Sequence, residues 1–123
     1  MHARDINNPD DTPILLLVDD VPDHCQQYQR ALQLSQFRVV LVATGEEALR
    51  AARQQKPQCI VIDERLVDMT GWQLCSELKQ SAITKPIPVI VLTQEVSQAA
   101  AGKSIDAGCS AWMAHPIRSR PWA

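Results

Sequence analysis

Apolar residues gather along the chain in short, nearly unbroken runs: 14–18, 38–42, 59–62, 87–92 and a brief one at 111–114. Runs of this length with so little polar alternation predict strands buried on both faces, as in a parallel sheet. Pro88 cannot donate to a strand ladder, so the fourth strand is expected to begin near Val89. Between the runs the spacing changes to that of helices. Cys25, Tyr28 and Leu32 make one stripe, Ala48, Leu49 and Ala52 a second, and Leu74, Cys75 and Leu78 a third. A fourth helix is expected over 99–107. Thr44-Gly45-Glu46-Glu47 and Ser97 read as helix starts, and Lys56-Pro57 and Gly108 as stops.

The resulting order, βαβαβαβαβ, predicts an α/β fold: a doubly wound, five-stranded parallel sheet with helices on both faces. Residues 1–12 are polar and read as a flexible tail, 13–117 as one domain, and 118–123 as a short C-terminal tail. A fifth helix would be expected there, but Ser119-Arg120-Pro121-Trp122 is not amphipathic. The last helix is therefore expected to be absent or truncated.

At 123 residues the chain is the size of one domain. Its longest apolar stretch is too short to cross a bilayer, and Met1-His2-Ala3-Arg4-Asp5 is polar and lacks the apolar core expected of a signal peptide. A cytoplasmic protein is the default expectation. A net charge of −2 gives no basic stripe for nucleic acid. The four cysteines, Cys25, Cys59, Cys75 and Cys109, are scattered without a C-x-x-C pair. They are expected to be inert thiols rather than a metal or redox set. His2 and His24 stand in polar contexts and are expected to be solvated.

The chemistry concentrates where two strands end. The first run stops at Asp19-Asp20 and the third at Asp63. Carboxylates after parallel strands lie at the carboxyl edge of the sheet, where open α/β folds bind ligands. Three of them together repel unless a cation or protons compensate. Mg²⁺, hard and oxygen-seeking, suits that role.

Asp19-Asp20, Asp63, Gly71, Thr93 and His115-Pro116, in this order after successive strands, resemble the receiver domain of two-component response regulators. The resemblance spans about 13–117 and implies the flavodoxin-like strand order 2-1-3-4-5. It implies that Asp63 accepts a phosphoryl group from a histidine kinase or phosphotransfer protein. Asp20 would bind Mg²⁺ directly, Asp19 through water, and Arg65 through its backbone carbonyl. Thr93 would turn its hydroxyl to the phosphoryl group, and Trp112 holds the aromatic switch position, or simply fills the sheet edge. The resemblance also implies a downstream protein target, a possible homodimer, and a signalling phosphoacceptor rather than an enzyme.

Three positions depart from the family pattern. His115 replaces a lysine, exchanging a permanent point charge for a group that titrates near neutrality; either it substitutes for lysine with a pH-sensitive switch, or the receiver is weakened. Leu66-Val67 replaces Met-Pro, which frees the loop backbone. Trp112 replaces a smaller aromatic. The proline landmark implies a cis His115–Pro116 bond. The alternative function is a pseudo-receiver, an interaction domain that works without phosphorylation. An aspartyl-phosphate phosphohydrolase would need a second acid where Arg65 stands.

Overall fold

A computed structural model describes residues 12–21, 23–24, 26–27, 37–93, 102–103 and 106–114. The strands are β1 (Ile14–Val18), β2 (Arg38–Val42), β3 (Cys59–Asp63), β4 (Val89–Thr93) and β5 (Ala111–Ala114). Two helices are described in full, α1 (Gly45–Gln55) and α2 (Gly71–Gln80). Backbone at 23–24 and 26–27, and again at 102–103 and 106–107, is also helical. The sheet is wholly parallel with order β2-β1-β3-β4-β5. The expected fold is therefore the observed one.

Side-chain alternation assigns the two faces. On one, Leu16, Val18, Ile60, Ile62, Val89 and Val91 pack against Ala48 and Ala52 of α1 and Leu74, Cys75 and Leu78 of α2. On the other, Leu15, Leu17 and Leu92 pack with Val39, Leu41, Val61 and Ile90. Both faces of β1 are thus buried, which is why its run is continuously apolar.

The element ends follow local chemistry. Thr44 caps α1, its hydroxyl accepting from the Glu47 N–H at 3.1 Å; such a cap contributes about 1 kcal/mol. Lys56 closes α1 in the left-handed region, φ 47°, and Pro57 prevents continuation. Thr70 caps α2 through the Gln73 N–H. Strand β4 starts at Val89, past the proline, as expected. Strand β3 runs one residue beyond its apolar run and includes Asp63 itself. The stripe through Tyr28 and Leu32, the Ser97 start, the expected absence of a last helix and the expected cis His115–Pro116 bond fall outside the described residues.

Candidate functional site

In a parallel sheet all strands end on one edge, and register sets how closely those ends meet. Val18 pairs with Ile62, and Asp63 with Leu92. The residue after β1, the last of β3 and the last of β4 therefore come to one edge: Asp19, Asp63 and Thr93. All three are buried. The Asp19 N–H donates to the Val42 carbonyl at 3.1 Å, which carries the ladder one step past β1. Its carboxylate accepts from the Val21 N–H at 2.9 Å.

His24 belongs to this edge, contrary to the expectation that it is solvated. It is buried, and its Nδ1 lies 3.2 Å from Asp19 Oδ2. Ligand atoms of Asp19, His24 and Asp63 all fall within 4.8 Å of one another, a spacing one metal ion could bridge. A histidine five residues after Asp19 carries no sequence signal. It reaches the site because the chain turns into helical backbone there and returns the ring to the strand end.

Asp20, less buried, stands beside the cluster. Burial, then the charges of Asp19 and Asp63, push its carboxyl above the ordinary value of 3.8. An acid raised by neighbouring acids marks a place where a cation would be favourable. The carboxylates gathered here are oxygen donors of the kind a hard divalent ion takes.

The loop after Asp63 is tightly held although it lacks proline. The Arg65 N–H donates to Asp63 Oδ1 at 3.2 Å. Arg65 and Thr70 form an antiparallel bridge, and the Leu66 N–H donates to the Met69 carbonyl. Asp68 accepts from the N–H groups of Gly45 and Glu46 at 2.9 and 3.1 Å, so the loop caps α1. Those two bonds hold the Asp68 carboxyl below its ordinary range, the Gly45 bond most. Gly71 closes the loop: its N–H donates to the Glu64 carbonyl at 2.7 Å. A Cβ on Gly71 would come within 2.6 Å of the Asp63 carbonyl oxygen. That approach is the physical reason for a glycine here.

Glu64 is a second site residue, after His24, that sequence reasoning missed. Its Oε1 accepts from the Thr93 hydroxyl at 2.6 Å and its Oε2 from the Trp72 indole at 3.0 Å. Burial would raise its carboxyl. The bonds from Thr93 and Trp72, with the charges of Lys103 and Arg65, hold it below the ordinary value of 4.5. Trp72 is thus core packing with a polar handle on the site. Trp112 lies on β5, half-buried against the main core. His115 falls outside the described residues.

Comparison with known proteins agrees with this geometry. The family model of the response regulator receiver domain matches residues 15–120. The two-component response regulator ORR3 of Oryza sativa is 30% identical over 111 residues, spanning 89% of this chain and 85% of its own. The transcriptional regulatory protein PrrA of Mycobacterium tuberculosis is 31% identical, but the chain spans only 45% of its length. Among solved structures, the receiver domain of the sensor histidine kinase PA1611 from Pseudomonas aeruginosa has magnesium coordinated in its active-site cleft. It matches with a TM-score of 0.77 and 29% identity, over 86% of this chain and 87% of that one. The Vibrio cholerae chemotaxis protein CheY4 matches at 0.80 and 26%, over 87% and 89%. The strand order, the acidic edge and these matches together show that the chain belongs to the response regulator receiver domain family.

Proposed function

We propose that the chain accepts a phosphoryl group on Asp63 from a histidine kinase or phosphotransfer protein and thereby switches a partner-binding surface. The observation that carries this reading is the meeting of Asp19, Asp63 and Thr93 at one sheet edge, with the Asp20 carboxyl raised by burial and by the charges of Asp19 and Asp63. A lone pair on a carboxylate oxygen of Asp63 forms the new O–P bond. The P–N bond of the donor breaks, and its electrons return to the donor imidazole.

Asp19, Asp20, Asp63 and the Arg65 carbonyl would hold Mg²⁺, which neutralises charge on the transferred oxygens. The protein supplies positioning. The Arg65 N–H fixes one Asp63 oxygen, and the loop tied to α1 keeps that donor in place. The Thr93 hydroxyl, bonded to Glu64 in this state, is the group that would exchange that acceptor for a phosphoryl oxygen. Exchange would release one side of Glu64 and alter its bond to Trp72. The chemical event at Asp63 would in this way reach helix α2.

Incubation with Mg²⁺ and a small phosphodonor, read by intact mass, tests the reading. The expected outcome is a gain of one phosphoryl group, lost in Asp63→Asn and accompanied by a Trp72 fluorescence change that Trp72→Phe removes. No mass gain in the folded wild type would favour the pseudo-receiver. That second reading draws on one observation, that Thr93 already has a strong acceptor in Glu64.

A further inference from the structure

Cys75 and Cys109 are 34 residues apart in sequence, yet their sulfurs stand 2.9 Å apart. Cys75 lies on the buried face of α2, between Leu74 and Leu78 in the core. Cys109 sits in the lead-in to β5 and is half-buried. Neither spacing nor composition announced this pair, because its two members come from different elements.

Both sulfurs are held in place. On the α2 side, Cys75 is fully buried and also donates to the Ala107 carbonyl at 3.6 Å. On the other side, Gly108 takes the left-handed φ of 77° that turns the chain into the lead-in. Ser110 then binds Val89 twice: its N–H donates to the Val89 carbonyl at 3.0 Å, and its hydroxyl accepts from the Val89 N–H at 3.2 Å. Cys109 therefore hangs between a buried Ala107 and a residue fastened to β4. Disulfide sulfurs stand about 2.05 Å apart, so closing the gap needs under about 1 Å of movement.

We propose that Cys75 and Cys109 form a reversible redox site, which a peroxide converts to a disulfide stapling α2 to the segment that enters β5. Exposure assigns the roles, since peroxide can reach the half-buried Cys109 and not the buried Cys75. The bond to Cys109, then burial, push the Cys75 thiol far above its ordinary range, so Cys75 keeps its proton. The Cys109 thiolate attacks one peroxide oxygen; the O–O bond breaks, hydroxide leaves and takes up the proton Cys109 released, giving water, and Cys109 becomes a sulfenic acid. The sulfenic oxygen takes the Cys75 proton as the Cys75 sulfur attacks the Cys109 sulfur, and the S–O bond breaks to release water. Two thiols and one peroxide thus give one disulfide and two waters, with both electrons ending on peroxide oxygen. In a reducing compartment such a pair rests as thiols and oxidises transiently.

The site bears on signalling through its position. Helix α2 carries Trp72, bonded to Glu64, and the stapled segment leads directly to Trp112 on β5. Oxidation would tie α2, which the Glu64–Trp72 bond links to Thr93, to the segment that enters β5.

The full chain, without phosphodonor or metal, is treated with hydrogen peroxide, alkylated and digested with trypsin. Cleavage places each of the four cysteines on its own peptide, Cys75 on 66–79 and Cys109 on 104–118. The expected result is an intact-mass loss of two hydrogens, one cross-linked species joining those two peptides, and full reversal by a thiol reductant. Cys109→Ser should abolish the mass loss, while Cys59→Ser should leave it unchanged. Both thiols remaining open to alkylation, a cross-link through another cysteine, or over-oxidation of Cys109 without cross-linking would each overturn the proposal. Since Asp63 takes no part in this chemistry, such a failure leaves the phosphoacceptor reading standing.

Discussion

Two acids at the same sheet edge are driven in opposite directions. Asp20, after β1, is raised by burial and by the charges of Asp19 and Asp63. Glu64, after β3, also feels burial, but donors from Thr93 and Trp72 and the charges of Lys103 and Arg65 bring it below its ordinary value. Desolvation heads both sets of causes, so it does not distinguish them. What differs is the company: like charges on one side, hydrogen-bond donors on the other. The β1 end gathers several carboxylates, a setting suited to a cation. The β3–β4 end is a satisfied network, suited to holding one arrangement until something competes for it.

The largest expected effect comes from disrupting both ends at once. Gly71 approaches the Asp63 carbonyl so closely that a Cβ would lie 2.6 Å from it and 3.1 Å from the Glu64 Cα. Both neighbours are backbone and cannot swing away. Gly71→Ala must therefore shift the start of α2 or the end of β3, moving Asp63 and the Glu64 network together. A loss of about 3 kcal/mol is expected from overpacking of this kind, measured by denaturant unfolding. An alanine variant as stable as wild type would show that the loop moves aside freely, and that the two ends are not fixed by a common seat.

Most of the fold was legible because burial on both faces leaves its mark in every strand. The apolar runs, the Thr44 cap, the Lys56-Pro57 stop and the Pro88 boundary are local signals with local causes. Asp19, Asp20 and Asp63 were legible because strand ends in a parallel sheet must share an edge, and Thr93 through the family resemblance. His24, Glu64 and the Cys75–Cys109 pair were not. Each depends on where a side chain arrives after the chain has turned, which no local pattern encodes. Glu64 in particular looks like an ordinary surface acid until register brings Thr93 within 2.6 Å of it. The loop at Leu66-Val67 taught the converse. Absence of proline suggested a freer backbone, but Asp68 on the α1 N-terminus ties it down from outside.

A smaller change tests the satisfied network alone. In Glu64→Gln the amide oxygen can still accept from Thr93, but the amide nitrogen then faces the Trp72 indole, donor against donor. A destabilisation of about 1–3 kcal/mol is expected for the broken charged contact, together with a change in Trp72 emission. The pH dependence should change as well. Because the Glu64 carboxyl is lowered on folding, its contribution is full above about 4.5 and is lost as pH falls through the folded value. Glu64→Gln should flatten that acid limb. Acid unfolding that matches wild type would show that the Thr93 and Trp72 bonds contribute nothing to folding.

The smallest effect, and the one of opposite sign, belongs to Asp20. Its carboxyl is raised on folding, so between the ordinary value of 3.8 and the folded value the native state binds more protons than the unfolded chain. Stability therefore falls as pH rises through that window, and the penalty persists at neutral pH. Asp20→Asn removes it. Without a divalent ion, the variant should melt slightly above wild type at neutral pH, with the gap closing below the window. Adding Mg²⁺ should reverse the order, because an ion bound only by the folded state stabilises by mass action and needs this carboxylate to bind well. Thermal melts of both proteins with and without Mg²⁺ measure all four values. A wild type more stable than Asp20→Asn even without the ion would mean that the charge at the β1 end is already compensated within the protein, and the contrast between the two acids would collapse.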